Sequence, residues 1–218
     1  MEHQFWRERW KEGRIGFHQE KVHPTLLKYQ STLFAQSGQS ILVPLAGKSF
    51  DVDWFDQQGQ HVTAIELSSV AARTFHEEHN RSPHRETKGS YEQFTSGNCR
   101  FLVGDVFKAT ELGLGSFDAI WDRAALVALD PPRRKAYGPL MLSLLKPGGF
   151  ILLNTFRYPR GIKEGPPHSI EEHEIYSLYG EGARIELLES EDRIEYEQRW
   201  RDLGFPFWIT STWKITKK

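Results

Sequence analysis

Short, continuous apolar runs alternate with amphipathic segments along most of this chain. Continuous apolar runs with β-branched residues are typical of strands that are buried on both faces. The predicted strands are residues 41–44, 62–66, 100–103, 117–121 and 150–155. The segments between them predict helices at residues 50–58 and 69–79, and from Asp130 to Leu145. Helices that alternate with such strands indicate a mostly parallel sheet with helices on both faces.

Three stretches depart from this alternation. Residues 80–98 are polar and contain Pro83, Gly89 and Gly97, which predicts a long excursion or insertion. Ser169 and Glu172 have the spacing of a capping box, so we expect a helix from there to Tyr179. The last two predicted strands, residues 184–189 and 208–215, follow each other without a helix, which indicates one antiparallel strand. The fold class is therefore α/β, with a Rossmann-like sheet of seven strands.

The N-terminal 30 residues are rich in aromatic residues. Trp6 and Trp10 lie four positions apart, on one face of a short predicted helix that Gly13 ends. Such a short helix is marginal in isolation. Two interpretations remain open: an arm or lid that closes over a ligand, or a helix docked permanently on the sheet.

Composition limits the class of protein. The chain has 218 residues and a net charge of −1, which suits one α/β domain over residues 1–218 and argues against a large nucleic-acid or anionic-membrane surface. Cys99 is the only cysteine, so no internal disulfide forms and a reducing cytoplasm fits. No apolar run approaches the ~20 residues of a membrane span, and no signal peptide is visible.

Two acids and a glycine at predicted strand ends form the candidate site. Gly47 follows the first strand and Glu66 ends the second, 19 positions later. That spacing is typical of a glycine turn and an acid that accepts hydrogen bonds from ribose hydroxyls. Asp105 is suited to accept from an adenine amino group, and Val106 offers an apolar wall. Since G-x-G-x-x-G is missing, the pattern favours S-adenosylmethionine over NAD.

Other motifs have simpler explanations. The Gly47-Lys48-Ser49 triplet lacks the preceding glycine of a P-loop, and Pro44 removes an N–H from that turn. Asp130-Pro131-Pro132 fits the start of a helix. Nine histidines show no metal-ligand spacing. Arg123 and Arg199 could each hold an anionic or soft acceptor, or form surface ion pairs.

Four motifs together carry a resemblance to a known family. They are FWRERWKEGRIGFHQEKVHP, ILVPLAGKSFDVDWF, VTAIELS and FDAIWDRAALVAL. In combination they closely resemble the thiopurine S-methyltransferase family, and the similarity runs over essentially the whole chain. The resemblance implies the class I methyltransferase fold, with S-adenosyl-L-methionine as cofactor and S-adenosyl-L-homocysteine as product.

The resemblance also implies roles for individual residues. The N-terminal arm would cover the cofactor, Phe17 would touch the acceptor ring, Arg123 would lie at the boundary between cofactor and acceptor, and Arg199 would be a second arginine on the acceptor side. The predicted cofactor residues are Trp6, Trp10, Leu45, Gly47, Glu66, Asp105, Val106 and Arg123; the predicted acceptor residues are Phe17, Arg123 and Arg199.

The predicted reaction is methyl transfer to the sulfur of a thiopurine or another small thiol, or to a selenium or tellurium analogue. Positioning of donor and acceptor would contribute most of the catalysis, so we name no general base and no metal. The partner is a small-molecule thiol, and we expect a cytoplasmic monomer. Two alternatives stay open: a small-molecule O- or N-methyltransferase with the same fold, and a non-catalytic protein that binds the cofactor.

Overall fold

The computed structural model describes residues 3–218. Their contacts group into two compact units, one ending at Ala119 and the other beginning at Ile120. The single domain expected from the sequence over residues 1–218 stays a prediction. Met1 and Glu2 of the predicted arm lie outside the described residues.

The described part of the first unit, residues 3–119, contains four helices and five complete strands. In chain order they are α1 His3–Lys11, α2 Pro24–Leu33, β1 Ser40–Pro44, α3 Phe50–Gln57, β2 His61–Glu66, α4 Ser69–Glu78, β3 His84–Lys88, β4 Tyr91–Ser96 and β5 Cys99–Val103, followed by a 3₁₀ turn, Val106–Leu112. Strand β6, Phe117–Asp122, runs across the boundary between the units.

The strands of the first unit pair in the order β3-β4-β5-β2-β1. Strands β1 and β2 are parallel, with Pro44 opposite Ile65, and β2 is parallel to β5, with Glu66 opposite Val103. Both faces of β1 and β2 are buried along almost their whole length, which explains their continuous apolar sequences. This register brings the carboxyl ends of the three strands to one edge of the sheet.

The polar stretch at residues 80–98 contains a β-hairpin, so the predicted excursion or insertion consists of two strands that were not expected. Strands β3 and β4 pair antiparallel from His84 opposite Thr95 to Lys88 opposite Tyr91, and β4 pairs antiparallel with β5. Strand β3 is exposed along its whole length, so its side chains carry no apolar alternation that would reveal a strand. Gly89, at φ +59°, makes the turn.

The second unit contains the remaining elements. They are a 3₁₀ turn at Leu126–Ala128, α5 Pro131–Ser143, β7 Leu145–Arg157, α6 Glu172–Tyr179, β8 Ala183–Asp192, a 3₁₀ turn at Ile194–Tyr196, α7 Gln198–Asp202 and β9 Ile209–Lys217. Asp130 caps α5 by accepting from the Arg133 N–H at 3.1 Å, which confirms the helix start predicted from Asp130-Pro131-Pro132.

Strand β9 lies between β7 and β8 and is antiparallel to both. The predicted antiparallel strand near the end of the chain is therefore confirmed, but β4 is a second one. The described residues form nine strands, and the prediction of seven is wrong because it missed the hairpin.

Two boundaries also differ from the prediction. Helix α5 ends at Ser143 and strand β7 begins at Leu145, so the helix predicted to reach Leu145 is shorter and the strand predicted from residue 150 starts earlier. The capping box of α6 is formed by Glu171 and Glu174, each two positions after the residue predicted for it. The Ser169 hydroxyl instead bonds the backbone of Tyr158, at 3.0 Å from its nitrogen and 2.9 Å from its oxygen.

The described residues show neither a membrane-spanning helix nor a metal-binding cluster. No helix there has both the length and the apolar composition that a membrane span needs. No group of three or more His, Cys, Asp or Glu side chains in residues 3–218 is arranged to hold a metal ion.

Candidate functional site

A buried carboxylate joins the ends of β1 and β2. One oxygen of Glu66 accepts from the Gly47 N–H at 2.9 Å, and the other accepts from the Ser68 N–H at 2.8 Å. The side chain closes the turn after β1, which contains Leu45 at φ 48° and Gly47 at φ 58°. An L-residue such as Leu45 rarely adopts this left-handed conformation, and such strain is most often found at functional sites.

Two opposing effects act on the pKa of Glu66, and the net shift is upward. Burial raises the pKa of Glu66, because the charged form loses its water. Hydrogen bonds from the N–H groups of Ser68 and Gly47 lower the pKa again. Two N–H donors require an acceptor on each oxygen, which favours the carboxylate. Each oxygen keeps further acceptor capacity for a ligand hydroxyl.

Helix α1 places an aromatic cluster over this turn. Trp10 is buried, and a Cβ added to Gly47 would lie 3.0 Å from the Trp10 ring, so glycine lets the indole approach this backbone without displacement. The Phe17 ring lies 5.8 Å from Trp10 and 5.5 Å from Trp6, edge to face in both pairs. Trp6, Trp10 and Phe17, which were predicted to contact cofactor and acceptor, therefore form one cluster.

Asp105 follows β5 and has three roles in this structure. One of its oxygens accepts from the Phe107 N–H at 3.0 Å and caps the 3₁₀ turn. The other lies 3.2 Å from His3 Nε2 on α1. Its backbone oxygen accepts from the Tyr91 hydroxyl. His3 thus contacts the same Asp105 carboxylate that was predicted to accept from an adenine amino group. The adenine-binding role of Asp105 stays a prediction.

Four further residues lie in the turns that follow β1 and β5. Leu45 is partly buried and Val106 is buried, so both can provide an apolar wall. Lys48 is buried and forms an ion pair with Glu78 of α4, while Ser49 caps α3. Lys48 and Ser49 are therefore engaged in structural contacts of the first unit.

In the second unit, Arg123 directly follows a buried acid. Asp122 is fully buried, and its carboxylate accepts from the Leu126 N–H at 3.0 Å and from the Tyr137 hydroxyl at 2.8 Å. Burial raises the pKa of Asp122 to about 6. Arg123 is partly buried, and Ala124 after it has φ +64°.

Arg199 lies on α7 and is exposed. Its guanidinium carbon lies 5.0 Å from the centroid of the Trp200 ring, within the range of a cation–π contact. Trp200 stacks on Trp208 at 4.1 Å, and Trp208 stacks on Tyr158 at 5.2 Å. Arg199 therefore extends a stack of three aromatic rings.

Comparison with known proteins identifies the family. The sequence model described as "Thiopurine S-methyltransferase (TPMT)" matches residues 1–218. The chain belongs to the thiopurine S-methyltransferase family. This confirms the resemblance drawn from the four sequence motifs and the prediction of a methyltransferase.

Two relatives and one solved structure illustrate the similarity. Thiopurine S-methyltransferase of Legionella pneumophila (strain Philadelphia 1) is 42% identical over 214 residues, 98% of this chain and 97% of the relative. The Bordetella pertussis (strain Tohama I) enzyme of the same name is 37% identical over 204 residues, 94% and 93% of the two chains. A Burkholderia thailandensis 1,6-didemethyltoxoflavin-N1-methyltransferase, solved with bound 1,6-didemethyltoxoflavin and S-adenosylhomocysteine, has a TM-score of 0.65 at 17% identity, with 99% of this chain and 87% of that chain covered. This likeness confirms the methyltransferase fold.

Three residues at these sites were not among the predicted site residues of this family member. Tyr91 packs so closely on Gly104 that an added Cβ would overlap its ring. Its position could not be predicted because the hairpin itself was missed. The contact of His3 with Asp105 could not be predicted, because His3 is one of many polar residues in a charged helix. Asp122 did give one, since it is an acid that ends an apolar run, like Glu66.

Proposed function

We propose that the protein transfers a methyl group from S-adenosylmethionine to the sulfur of a small aromatic or heterocyclic thiol, with thiopurines as the model acceptors. Membership of the thiopurine S-methyltransferase family supports both the reaction type and the acceptor class. The structural observation that carries the cofactor part is the buried Glu66 carboxylate, which is bonded to the Gly47 N–H at the ends of two adjacent parallel strands.

The residues of the first unit fit a nucleoside cofactor. The Glu66 oxygens can each accept one more hydrogen bond, which suits the two adjacent hydroxyls of a ribose. Gly47 has no Cβ, so its backbone can be approached closely. Trp6 and Trp10 offer aromatic faces, which attract a sulfonium cation. Leu45 and Val106 would line the apolar part, and Asp105 would accept from the adenine amino group.

When bound, S-adenosylmethionine supplies an electrophilic methyl group and leaves as S-adenosylhomocysteine. The chain contributes position and charge. Phe17 would contact the flat face of the acceptor. Arg123 would lie against cofactor and acceptor, and with Arg199 it would favour the thiolate form of the acceptor by lowering its pKa. An acceptor that is already ionised needs no general base, so alignment is the main catalytic contribution.

A matched acceptor panel tests this proposal against its rivals. Purified protein and S-adenosylmethionine are incubated with 6-mercaptopurine, hypoxanthine and adenine, which carry sulfur, oxygen and nitrogen at the same ring position. We expect methylation of the sulfur compound alone. Methylation of the oxygen or nitrogen compound instead would support the O- or N-methyltransferase alternative. Tight binding of S-adenosylhomocysteine without any turnover would support a non-catalytic binding protein.

A matched pair of variants tests the assignment of Glu66. Glu66→Gln should weaken binding of S-adenosylhomocysteine, measured by calorimetry. Glu77→Gln makes the same chemical change at an exposed position of α4 and should leave binding as it is. Equal affinities of the two variants would contradict the proposed role of Glu66.

Three further properties belong to this proposal. The net charge of −1 supports a protein that acts on small molecules and not on nucleic acid. The single cysteine supports a cytoplasmic location. We expect a monomer, which light scattering coupled to gel filtration can check.

A further inference from the structure

The segment that carries Arg123 is a short, tied loop. Strand β6 ends at Asp122, and the next 3₁₀ turn begins at Leu126. Between them, Ala124 has the left-handed conformation that L-residues rarely adopt, at φ +64°. Such a conformation persists only where surrounding interactions hold it in place.

The Asp122 carboxylate supplies those interactions. One oxygen accepts from the Leu126 N–H at 3.0 Å, and the Ala125 N–H also bonds the carboxylate. The other oxygen accepts from the Tyr137 hydroxyl of α5 at 2.8 Å. Because Tyr137 lies in a helix and is itself fully buried, it anchors the carboxylate. The hydrogen bonds of Asp122 therefore join the residue before Arg123 to the residues that follow Ala124.

We infer that Asp122 is a positioning residue that fixes the loop carrying Arg123, and through it the orientation of the arginine toward the acceptor. This inference rests on the proposed function, in which Arg123 contacts the acceptor. Asp122 does not touch the acceptor, because both of its oxygens face protein groups and its side chain is fully buried.

The chemical state of Asp122 gives this role a distinct signature. Burial raises the pKa of Asp122 to about 6, while the hydrogen bonds from Leu126, Tyr137 and Ala125 oppose the rise. Two titratable groups face it, Tyr137 of α5 and Tyr179 of α6, and burial keeps the pKa of both phenols well above the ordinary value. Both therefore stay neutral while Asp122 titrates.

Protonation of Asp122 weakens its acceptor bonds to the loop. We therefore expect turnover to fall on the acid side, with a midpoint near the pKa of Asp122. The acceptor's own ionisation also gives an acid limb, so the position of the limb must be compared between variants with the same acceptor.

The first experiment replaces Asp122 by Asn in the full chain. The amide oxygen keeps an acceptor for the Leu126 N–H, and the amide nitrogen can donate to the Tyr137 oxygen. We expect kcat/KM for 6-mercaptopurine to fall about tenfold or more, since small misplacements of a contacting group are costly. The dissociation constant of S-adenosylhomocysteine should change less than kcat/KM, because Arg123 is only one of the residues proposed to contact the cofactor.

A double-mutant cycle separates positioning from a general structural effect. If Asp122 acts through Arg123, then Asp122→Asn has no further effect on kcat/KM in the Arg123→Ala background. Fully additive losses would overturn the inference, because they would show that the two residues act independently.

A pair of tyrosine variants provides the second measurement. Tyr137→Phe removes a hydrogen bond that lowers the pKa of Asp122, so the acid limb of kcat/KM should move to higher pH. Tyr179 is equally buried, and its hydroxyl makes no hydrogen bond with any described residue. Tyr179→Phe therefore removes the same atom from the same cluster and should leave the limb in place. If Asp122→Asn does not fold, the comparison of the acid limbs of Tyr137→Phe and Tyr179→Phe tests the inference by itself.

The outcomes distinguish the inference from the function on which it rests. No turnover of the unchanged protein with any acceptor would contradict the proposed function and the inference together. Turnover of the unchanged protein, with an unaltered kcat/KM in Asp122→Asn or identical acid limbs in the two tyrosine variants, would overturn the inference and leave the proposed function standing.

Discussion

Replacing Asp122 by Asn should change how the stability of the protein depends on pH. The folded protein holds a proton on Asp122 up to a pKa of about 6, because burial disfavours the charged form, whereas the ordinary value is 3.8. Each pKa unit corresponds to about 1.4 kcal/mol, so the difference amounts to about 3 kcal/mol.

The sign follows from proton binding in the two states. Between the ordinary pKa and the raised one, the folded protein binds this proton and the unfolded chain has released it. The contribution of Asp122 to the free energy of unfolding is therefore complete below pH 3.8 and is lost as the pH rises through about 6. An asparagine does not titrate, so the Asn variant lacks this loss.

The assay is urea denaturation of both proteins at several values from about pH 4 to pH 7. We expect the free energy of unfolding of the Asn variant, relative to the unchanged protein, to rise by about 2 kcal/mol across this range, because part of the full difference is already lost at pH 4. The raised pKa of Glu66 affects both proteins equally and cancels in the difference. Tyr179→Phe serves as a control that should show no such trend. A constant difference between Asn variant and parent across the range would refute the reasoning.

Three further predictions, which use five variants, test other parts of the structure. Glu66→Gln should weaken binding of S-adenosylhomocysteine by about 10–100-fold in calorimetry, since a hydrogen bond to a charged group is lost and a donor faces a backbone N–H; unchanged affinity would contradict this role. Gly113→Ala should cost about 1–2 kcal/mol in urea denaturation for its φ of +56° alone. Gly47→Ala should cost more, because its Cβ would also meet the indole ring at 3.0 Å, and equal losses would argue against that packing. Glu174→Ala should cost about 3–5 kcal/mol, because it strands a buried guanidinium, whereas Arg160→Ala, which removes the exposed partner of the same carboxylate, should cost less than about 1 kcal/mol.

The strands that carry the cofactor residues were predictable because burial constrains them on both faces. Strands β1 and β2 consist of continuous apolar residues and end at Gly47 and Glu66. A strand end, a glycine and an acid are local features, and a parallel register brings them together without long-range information. The hydrogen bond between these two residues agrees with that argument.

The hairpin could not be predicted because its stability comes from its partner. Strand β3 exposes every side chain, so nothing in its own sequence alternates between apolar and polar. It forms a strand because β4 offers a free edge, and β4 in turn is buried through Tyr91 and Phe94 against its neighbours. Edge strands of this kind are often charged, which protects them against pairing with other chains.

The capping box of α6 illustrates a competition between equivalent partners. Ser169 and Glu172 have the right spacing, but the Ser169 hydroxyl bonds the backbone of Tyr158 across the loop. Glu171 and Glu174 take over the cap, and Glu174 also pairs with the buried Arg134. Spacing alone predicts that a cap can form, whereas tertiary contacts decide which residues form it.

Asp122 and Glu66 show how one motif can serve two purposes. Each acid ends a strand and accepts backbone N–H groups from the turn that follows or faces it. The Glu66 carboxylate accepts from the backbone N–H groups of Gly47, Ser68 and Leu67, and its remaining acceptor sites can receive the hydroxyls of a ligand. At Asp122 a tyrosine hydroxyl takes the second oxygen, and the side chain is closed off from solvent. The acid without such a partner can bind a ligand, and the acid with one can only hold the loop beside it. The sequence alone does not separate these cases, because the tyrosine is supplied from a helix 15 positions away.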